Sequence, residues 1–359
     1  MTAKSGEAGT HEAAHFGFLL LLAMRRAGPP LGWRVSDKLA WGLRRTLPDA
    51  VTALMVLILA AIPSQSALSA ENGIPPYMFG SPGYNTASSP LVPGLYWLNQ
   101  TTYLYLHSLY GNDGEKLPLA FHGEAVANVF RFVETWPLEL PGGGLLASSV
   151  AVPVAKLISQ RVGRLEGSNS GVASVTLAPA VATWQLSSDL TMPVGIAFFT
   201  PSPAYSKNPV RMIGVNYWSV QPTIGLRYGG PNGLDIGILP RLALNTENDA
   251  THYQSGNMFF LDYSVSWRFG DFAPGVVGGL WKQFSNDFQN GRLVNGNGNR
   301  SSAVVVGPSL AFLYGRILFN VNYQHSFAMH NTAGTDAFFL NVAIPLSSLL
   351  SGESRASVQ

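Results

Sequence analysis

The polar segment at residues 245–256, NTENDATHYQSG, holds side chains of the types found in catalytic sites. Ser255 offers a hydroxyl nucleophile, His252 a base, and Glu247 or Asp249 a carboxylate to orient that base. A hydrolase needs these groups within hydrogen-bond distance, which closeness in the sequence does not show. Two spaced carboxylates also fall short of a calcium motif. We therefore expect polar side chains that hold a turn in shape, and we expect no enzyme.

Histidine spacing and the glycine-rich stretch give no sign of a metal or a cofactor. His107, His122, His325 and His330 are scattered, and none belongs to an HExxH or other ligand motif. The stretch at residues 290–300, NGRLVNGNGNR, lacks the Lys-Ser/Thr ending of a phosphate-binding loop. A formal net charge of +2 gives no reason to expect nucleic acid. The sequence thus predicts no metal, no cofactor and no nucleic-acid partner.

The elements that would position the polar segment lie between residues 216 and 269. Three stretches there alternate strictly between apolar and other residues over about ten to twelve positions, which is typical of strands with two differently solvated faces. Such lengths suit a tilted strand that crosses hydrocarbon. Charged residues make up only 12% of the chain and the mean hydropathy is +0.15, yet no apolar run reaches the roughly twenty residues of a spanning helix. Membrane strands explain both observations.

Strand candidates continue along the whole chain from residue 95 onward. The twelve candidates are 95–107, 119–133, 145–158, 172–184, 192–200, 216–228, 233–245, 257–269, 275–285, 303–313, 315–327 and 336–346. Long polar connections follow the odd strands, the last of them at residues 328–335, and shorter ones follow the even strands, as in bacterial barrels. Aromatic residues near strand ends would form the interfacial girdles: Trp218, Tyr228, Trp267, Trp281 and Tyr314.

This pattern predicts an all-β fold: a closed antiparallel transmembrane β-barrel of about 12 strands, at residues 95–346, with long outer loops and short periplasmic turns. A soluble β-sandwich also has alternating strands, but it rarely needs so many strands of this length. A lumen of twelve strands should be narrow. Polar and aromatic residues in the inward phase are expected to line it: Arg227, Asp235, Arg241, Asp262, Arg268, Gln324, Tyr217 and Phe260. They would form either a selectivity lining or salt bridges that brace the wall.

The residues before the barrel divide into three parts. Residues 1–49 form an upstream extension, and we expect the true start to be internal, with Met24 as one candidate. Residues 50–70 hold a short apolar run preceded by Arg44 and Arg45 and followed by small residues, as in a secretory signal cleaved after Ser69 or Ala70. Residues 71–94 have no periodicity and are an N-terminal extension or a plug of the lumen. Residues 347–359 form a C-terminal tail.

Several short motifs stand out along the predicted strands and in the polar segment. They include Asn216-Tyr217-Trp218-Ser219 with Pro222, Gly307-Pro308, and a final Pro345-Leu346. The most specific part is the outer-loop motif, which comprises Asn245, Glu247, Asn248, Thr251, Tyr253, Gln254, Ser255 and Gly256. These motifs resemble those of the outer-membrane family of meta-pathway phenol-degradation proteins. The resemblance implies an outer-membrane barrel that is associated with the degradation of aromatic or other hydrophobic compounds and that admits them.

The expected function is therefore a passive outer-membrane channel or transporter that admits small hydrophobic or aromatic compounds for catabolism. An outer-membrane barrel hydrolase and a non-transporting surface barrel are the alternatives. Signal and barrel together predict export to the outer membrane of a Gram-negative bacterium. The expected partners are outer-membrane lipid and lipopolysaccharide, the barrel-assembly machinery and a small hydrophobic solute.

Overall fold

The computed structural model describes residues 70–347. The predicted upstream extension, the signal region up to Ser69 and the C-terminal tail beyond Ser347 lie outside the described residues. Within that range, no helix is long and apolar enough to cross a membrane. The regular structure is almost entirely β, with four single turns of 3-10 helix between residues 71 and 296.

The described residues form twelve long strands that build the wall of a barrel, numbered here in chain order. Their bounds are β1 Gly94–Leu109, β2 Phe121–Leu140, β3 Gly144–Val162, β4 Thr176–Ser187, β5 Leu190–Phe199, β6 Ser219–Ile224 continued by Leu226–Gly229, β7 Leu234–Asn245, β8 Met258–Trp267, β9 Phe272–Gln283, β10 Ser302–Tyr314, β11 Ile317–His330 and β12 Ala333–Pro345. All twelve predicted strands are present in the predicted order. Their ends differ from the predicted ones by at most four residues, except that β2 ends seven residues later than predicted.

Each strand pairs antiparallel with its neighbours in the chain, and the last strand returns to the first. Thirteen residue pairs join β1 to β12, from Tyr96 opposite Pro345 to Leu109 opposite Ala333. The sheet therefore closes on itself, and the prediction of a closed antiparallel barrel of twelve strands is confirmed. Closure leaves no unpaired edge, which is what a sheet in hydrocarbon requires.

The connections confirm the predicted alternation with one exception. Turns after even strands are short, for example residues 141–143 and 315–316, whereas those after β1, β3, β5, β7 and β9 are long. We call the end of the barrel with the long connections the outer end. The connection after β11, predicted as a long loop at residues 328–335, contains only residues 331–332. That prediction was wrong because the polar residues there remain paired, with the Thr335 N–H donating to Ser326 Oγ.

The two faces of the wall follow the sequence alternation. On β11, Val321 is 52% exposed and faces outward, whereas Asn320 and Asn322 are buried on the inward face. An apolar outer surface and a polar interior are the arrangement of a membrane barrel. The prediction of Trp281 as a girdle residue was wrong, since it lies buried on the inward face of β9 and stacks on Phe260. Glycines interrupt the alternation of apolar and polar residues on β9, so the sequence does not indicate which face of the strand carries Trp281.

Residues 70–93, which we call the lumen segment, run inside the barrel rather than away from it. At the outer end, the Glu71 N–H donates to Ser255 Oγ in the long connection after β7. At the opposite end, the Pro90 carbonyl accepts a hydrogen bond from Thr135, which pairs with Gly94 at the start of β1. The segment therefore passes through the lumen from the outer end before the first strand begins.

Candidate functional site

Two sets of hydrogen bonds fix the lumen segment to the barrel wall, and the first surrounds Asp262. This inward residue of β8 is fully buried and accepts hydrogen bonds from Tyr77 Oη at 2.7 Å and the Gly80 N–H at 2.6 Å. On the other side, Gln324 Nε2 donates to the Gly80 carbonyl at 2.8 Å. Hydrogen bonds to a buried carboxylate are among the stronger ones in proteins. Asp262 is therefore the main polar anchor of the middle of the segment.

The second set lies nearer the inner end, around an ion pair in the wall. Arg227 Nη2 and Asp235 Oδ1 are 3.0 Å apart. Arg227 also donates to the carbonyls of Tyr84 and Thr86, at 2.7 and 3.2 Å, and Tyr84 Oη donates to Asp235. Arg268 contributes more weakly, with Nε 4.0 Å from Asp235 Oδ2. The predicted inward salt bridge is thus present, and it binds backbone of the lumen segment as well as bracing the wall.

Glycines in the wall leave the space that the lumen segment occupies. A Cβ atom on Gly237 would lie 2.3 Å from the Thr86 carbonyl oxygen, and one on Gly279 would lie 2.7 Å from the Gly80 nitrogen. Both contacts are with backbone, which cannot move aside cheaply. These two positions therefore require glycine because the backbone of the segment approaches the wall so closely.

Aromatic packing completes the attachment. The ring of Tyr77 lies edge-on to Phe260 at 5.4 Å, and Arg241 Cζ lies 4.1 Å above the same tyrosine ring. Phe79 packs against Phe260 and Trp281. Inward aromatic and cationic residues of β7, β8 and β9 are therefore occupied by the chain itself.

The outer end of the lumen is covered by a small sheet from two long connections, which we call the outer-loop sheet. Its four two-residue strands are Glu247–Asn248, Tyr253–Gln254, Phe288–Gln289 and Arg292–Leu293. Beneath it, the Glu71 carboxylate accepts hydrogen bonds from Asn248 Nδ2 and Tyr205 Oη. Burial, together with the hydrogen bond to Glu71, raises the pKa of Tyr205 to about 12. The first residues of the lumen segment are thus bound by the outer loops.

The outer-loop motif is a structural connection between these parts. Asn248 is fully buried and joins Asn216 to Glu71, Tyr253 donates to Asp287, and the Asn245 side chain donates to the Gly256 carbonyl. A Cβ atom on Gly256 would lie 2.2 Å from the Ser285 carbonyl. The Thr251 N–H closes a turn onto the Asn248 carbonyl, and Gln254 pairs with Glu247 and Phe288. These contacts hold the loops in shape.

The fold does not bring together the residues of the motif whose types occur in catalytic sites. His252 Nδ1 lies 3.0 Å from the Glu247 carboxylate on the exposed side, whereas Ser255 is buried and its hydroxyl accepts from the Glu71 N–H. Among the described residues, no hydrogen bond joins His252 to Ser255. That the protein is not an enzyme stays a prediction.

Of the predicted lumen-lining residues, Tyr217 takes the most distinct position. It precedes β6 and is buried beneath the outer loops, so it belongs to the outer end and not to the strand wall. Burial raises the pKa of its hydroxyl. Arg268 follows the end of β8, and its Nη2 donates to the Gly230 carbonyl of the turn after β6. The remaining six are on inward faces and contact the lumen segment: Arg227, Asp235, Arg241, Asp262, Gln324 and Phe260.

The lumen segment lies against one side of the wall and leaves a cavity of about 220 Å³ on the other. The cavity is bounded by the segment from Tyr77 to Pro90 and by the first five strands, with parts of β6, β7 and β12. Apolar side chains form much of its wall: Leu98, Val129, Val133, Val181, Ile196 and Phe199. Two cations, Arg131 and Arg241, also line it.

Sequence reasoning missed Arg131 and the cavity beside it. Arg131 lies on β2 between Phe130 and Phe132, which are 40% and 43% exposed on the outward face. If Phe130 and Phe132 face the lipid, alternation places Val129, Arg131 and Val133 on the inward face, where they line the cavity. Predicting the cavity requires the position of the lumen segment, and no sequence pattern indicates that position.

A cluster of His107, His325 and Asp336 lies outside the lumen, on the outward phase of β1, β11 and β12. His325 Nδ1 is 2.7 Å from Asp336 Oδ1, His107 Nε2 is 4.0 Å from Asp336 Oδ2, and the two imidazole rings stack at 5.9 Å. One ligand atom from each residue falls within 4.8 Å of the others. Three different strands supply these groups, so no sequence spacing could reveal them. The absence of a metal stays a prediction.

The closed twelve-stranded wall, its apolar outer face and the occupied lumen define an outer-membrane β-barrel protein. The family model described as "Putative MetA-pathway of phenol degradation" matches residues 107–342, and the chain belongs to that family. The resemblance expected from the short motifs is thereby confirmed. No curated protein matches the chain in sequence.

One solved structure shows the same fold at low identity. The crystal structure of an outer membrane channel from Pseudomonas putida F1 is 12% identical and aligns with a TM-score of 0.63, over 72% of this chain and 97% of that chain. The toluene transporter TodX from Pseudomonas putida is 9% identical, with a TM-score of 0.37 over 77% of this chain and 95% of that chain. The second alignment is too loose to support an argument.

Proposed function

We propose that the protein is a passive outer-membrane channel that admits small hydrophobic or aromatic compounds for catabolism. The observation that carries this proposal is the partly apolar cavity of about 220 Å³ between the lumen segment and the first five strands. An apolar cavity of about 150 Å³ is large enough to bind benzene. The space beside the lumen segment therefore suits a compound with a single ring.

The lumen segment accounts for the selectivity of such a channel. A barrel of twelve strands is wider than the eight-stranded barrels whose side chains fill the interior. The segment takes up the polar side of the lumen and leaves the more apolar side free, because its anchors lie on β6, β7, β8 and β11. We propose that it reduces the lumen to a passage for small solutes. The family description, which refers to phenol degradation, agrees with a single aromatic ring as the solute.

The cellular setting completes the proposal. The chain would be exported by a cleaved signal peptide and inserted into the outer membrane of a Gram-negative bacterium by the barrel-assembly machinery. Outer-membrane lipid and lipopolysaccharide would surround the exposed apolar face. Transport would be driven only by the concentration gradient that catabolism maintains.

Loss of the gene is expected to slow the use of a small aromatic compound when that compound is scarce. We expect the deletion strain to take up phenol several-fold more slowly than the parent at micromolar concentration, and at the parental rate when phenol is abundant. The measurement is the initial rate of radiolabelled phenol accumulation. A plasmid copy should restore the rate, and uptake of succinate serves as the control.

Equal phenol uptake by the two strains at limiting concentration would contradict the proposal and leave a non-transporting surface barrel as the better explanation. The hydrolase alternative gains no support, because His252 and Ser255 face different partners.

A further inference from the structure

The cavity holds an arginine that the rest of the protein does not use. Arg131 lines the cavity, and within the part of the chain that the structure describes it makes no hydrogen bond and no ion pair. Its described electrostatic neighbours are Tyr77 and another cation, Arg241. The Arg131 side chain is exposed, and its guanidinium is therefore open to the cavity. An anion that entered the cavity could bind this guanidinium without displacing an existing partner.

Arg241 is already committed to the lumen segment. It stacks over Tyr77, its Nη1 donates to Gln221 Oε1 at 3.3 Å, and it lies near enough to Asp262 to interact with that charge. One nitrogen, Nε, is buried without a hydrogen-bond partner. Of the described residues that line the cavity, Arg131 is thus a free cation and Arg241 a partly satisfied one.

We propose that the cavity binds aromatic anions, with the ring against the apolar wall and a carboxylate or phenolate oxygen on Arg131. The proposal rests on the proposed function and names its substrate class. The planar fork of a guanidinium matches a carboxylate in geometry and is weakly hydrated, so it suits an ion pair away from bulk water. Val133, Ile196 and Phe199 supply the apolar surface for the ring.

A pair of solutes that differ only in charge tests this proposal. Benzoate and benzyl alcohol share one ring, and their uptake is compared in cells carrying wild-type protein, Arg131→Gln or Arg131→Lys. Glutamine keeps length and polarity without charge, so we expect Arg131→Gln to slow benzoate uptake about tenfold and leave benzyl alcohol unchanged. Arg131→Lys should recover part of the benzoate rate.

The outcomes separate this inference from the proposed function. If Arg131→Gln slowed the uptake of both solutes equally, or did not slow benzoate uptake, Arg131 would not be an anion-binding residue. If wild-type cells take up neither solute faster than cells without the gene, the proposed function itself fails. Heat-modifiable migration of each purified variant on gels confirms that the barrel is folded.

A second inference concerns the beginning of the lumen segment and depends on different residues. Asp287, in the long connection after β9, is fully buried and accepts hydrogen bonds from Tyr253 Oη, the Gly256 N–H and Gln283 Nε2. The Ala70 nitrogen is its fourth donor. All four described donors are neutral in the continuous chain. Burial raises the pKa of Asp287 to about 6, even though these hydrogen bonds lower it.

The backbone of Ala70 is unusual in the same place. Its φ of 47° and ψ of 147° lie outside the regions that residues with a side chain normally adopt. Such a conformation is strained in a continuous chain. An amino-terminal residue has no preceding peptide bond and so no φ restriction, which means that cleavage before Ala70 would remove this cost.

We infer that the mature chain begins at Ala70 and that its α-ammonium group is the counter-ion of Asp287. Ala67 and Ser69 stand at the third and first positions before this cleavage point, where signal peptides carry small residues. Cleavage one residue later would place Leu68 at the third position. The ammonium would compensate the buried carboxylate and bind the start of the lumen segment to the outer-loop sheet.

Mass spectrometry of the protein purified from outer membranes tests the first half of this inference. The amino-terminal peptide is expected to begin at Ala70, and a peptide that begins at any other residue would overturn the inference.

Reductive methylation of the folded protein tests the second half. The α-amine of Ala70 should react slowly in wild type, faster by about tenfold in Asp287→Asn, and slowly in Asp249→Asn, which removes an exposed carboxylate from the same outer surface. Exposed Lys207 serves as the internal standard. Equal reactivity of the α-amine in wild type and Asp287→Asn would exclude the ion pair.

Discussion

Joining the signal peptide directly to Ser89, so that the mature protein lacks residues 70–88, is expected to convert the narrow passage into a water-filled pore. The wall does not depend on these residues for its strand pairing, since β1 begins at Gly94 and closes against β12. The polar inward groups that bind the segment, Asp262 and Arg227 among them, would then face water. Liposomes containing the variant should swell in arabinose roughly ten times faster than those with wild type, because twelve strands enclose more space than their own side chains fill.

A point variant gives the same test with the segment still present. Asp262→Ala removes the acceptor of Tyr77 Oη and the Gly80 N–H, and leaving a buried donor without its partner costs about 1–3 kcal/mol. We expect swelling between that of wild type and the deletion. Asp271→Ala, at an exposed carboxylate in the turn after β8, should behave as wild type. A deletion variant that forms a heat-modifiable barrel and swells no faster than wild type would refute the role of the lumen segment.

Filling the cavity should have the opposite effect on small aromatic solutes. Ala178 on β4 faces the cavity and is buried, whereas the adjacent Leu177 faces outward and is 42% exposed. An indole at position 178 would occupy much of a space of about 220 Å³. We expect Ala178→Trp to reduce phenol uptake to near the rate of cells without the gene. Leu177→Trp places the same ring in lipid on the same strand and should leave uptake unchanged.

The barrel could be predicted because a single local rule applies to every strand. Alternation with period two identifies the face of each residue, and on β11 the inward Asn320 and Gln324 and the outward Val321 follow it directly. Strand order then follows from antiparallel neighbours and short turns. Where glycine and proline interrupt the alternation, as around Trp281 on β9, the phase is lost and the prediction fails.

The contents of the lumen could be predicted only in part. The alternation places Asp262, Arg227 and Gln324 on the inward phase, but their partner is the chain itself, about 140 to 240 positions away in sequence. Contacts of this kind have no local pattern, since the lumen segment pairs with side chains and not with a strand. The close approach of the Thr86 backbone to Gly237 is likewise apparent only when the position of Thr86 is known.

The outer end illustrates the same limit. The motif at residues 245–256 contains hydroxyl, imidazole and carboxylate groups that neighbour one another in sequence, yet the fold turns Ser255 inward to Glu71 and His252 outward to Glu247. Asp287, the buried carboxylate beneath the outer-loop sheet, comes from a different connection. Which loops meet is decided by the closure of the barrel, so the site that they form could not be read from either loop alone.

The most direct test of passage through the cavity is the initial rate of phenol uptake at micromolar concentration in cells that carry Ala178→Trp, relative to cells that carry Leu177→Trp at equal outer-membrane abundance. A passage between the lumen segment and the first five strands predicts a rate for Ala178→Trp near that of cells without the gene and a wild-type rate for Leu177→Trp. Equal rates for the two variants would contradict it.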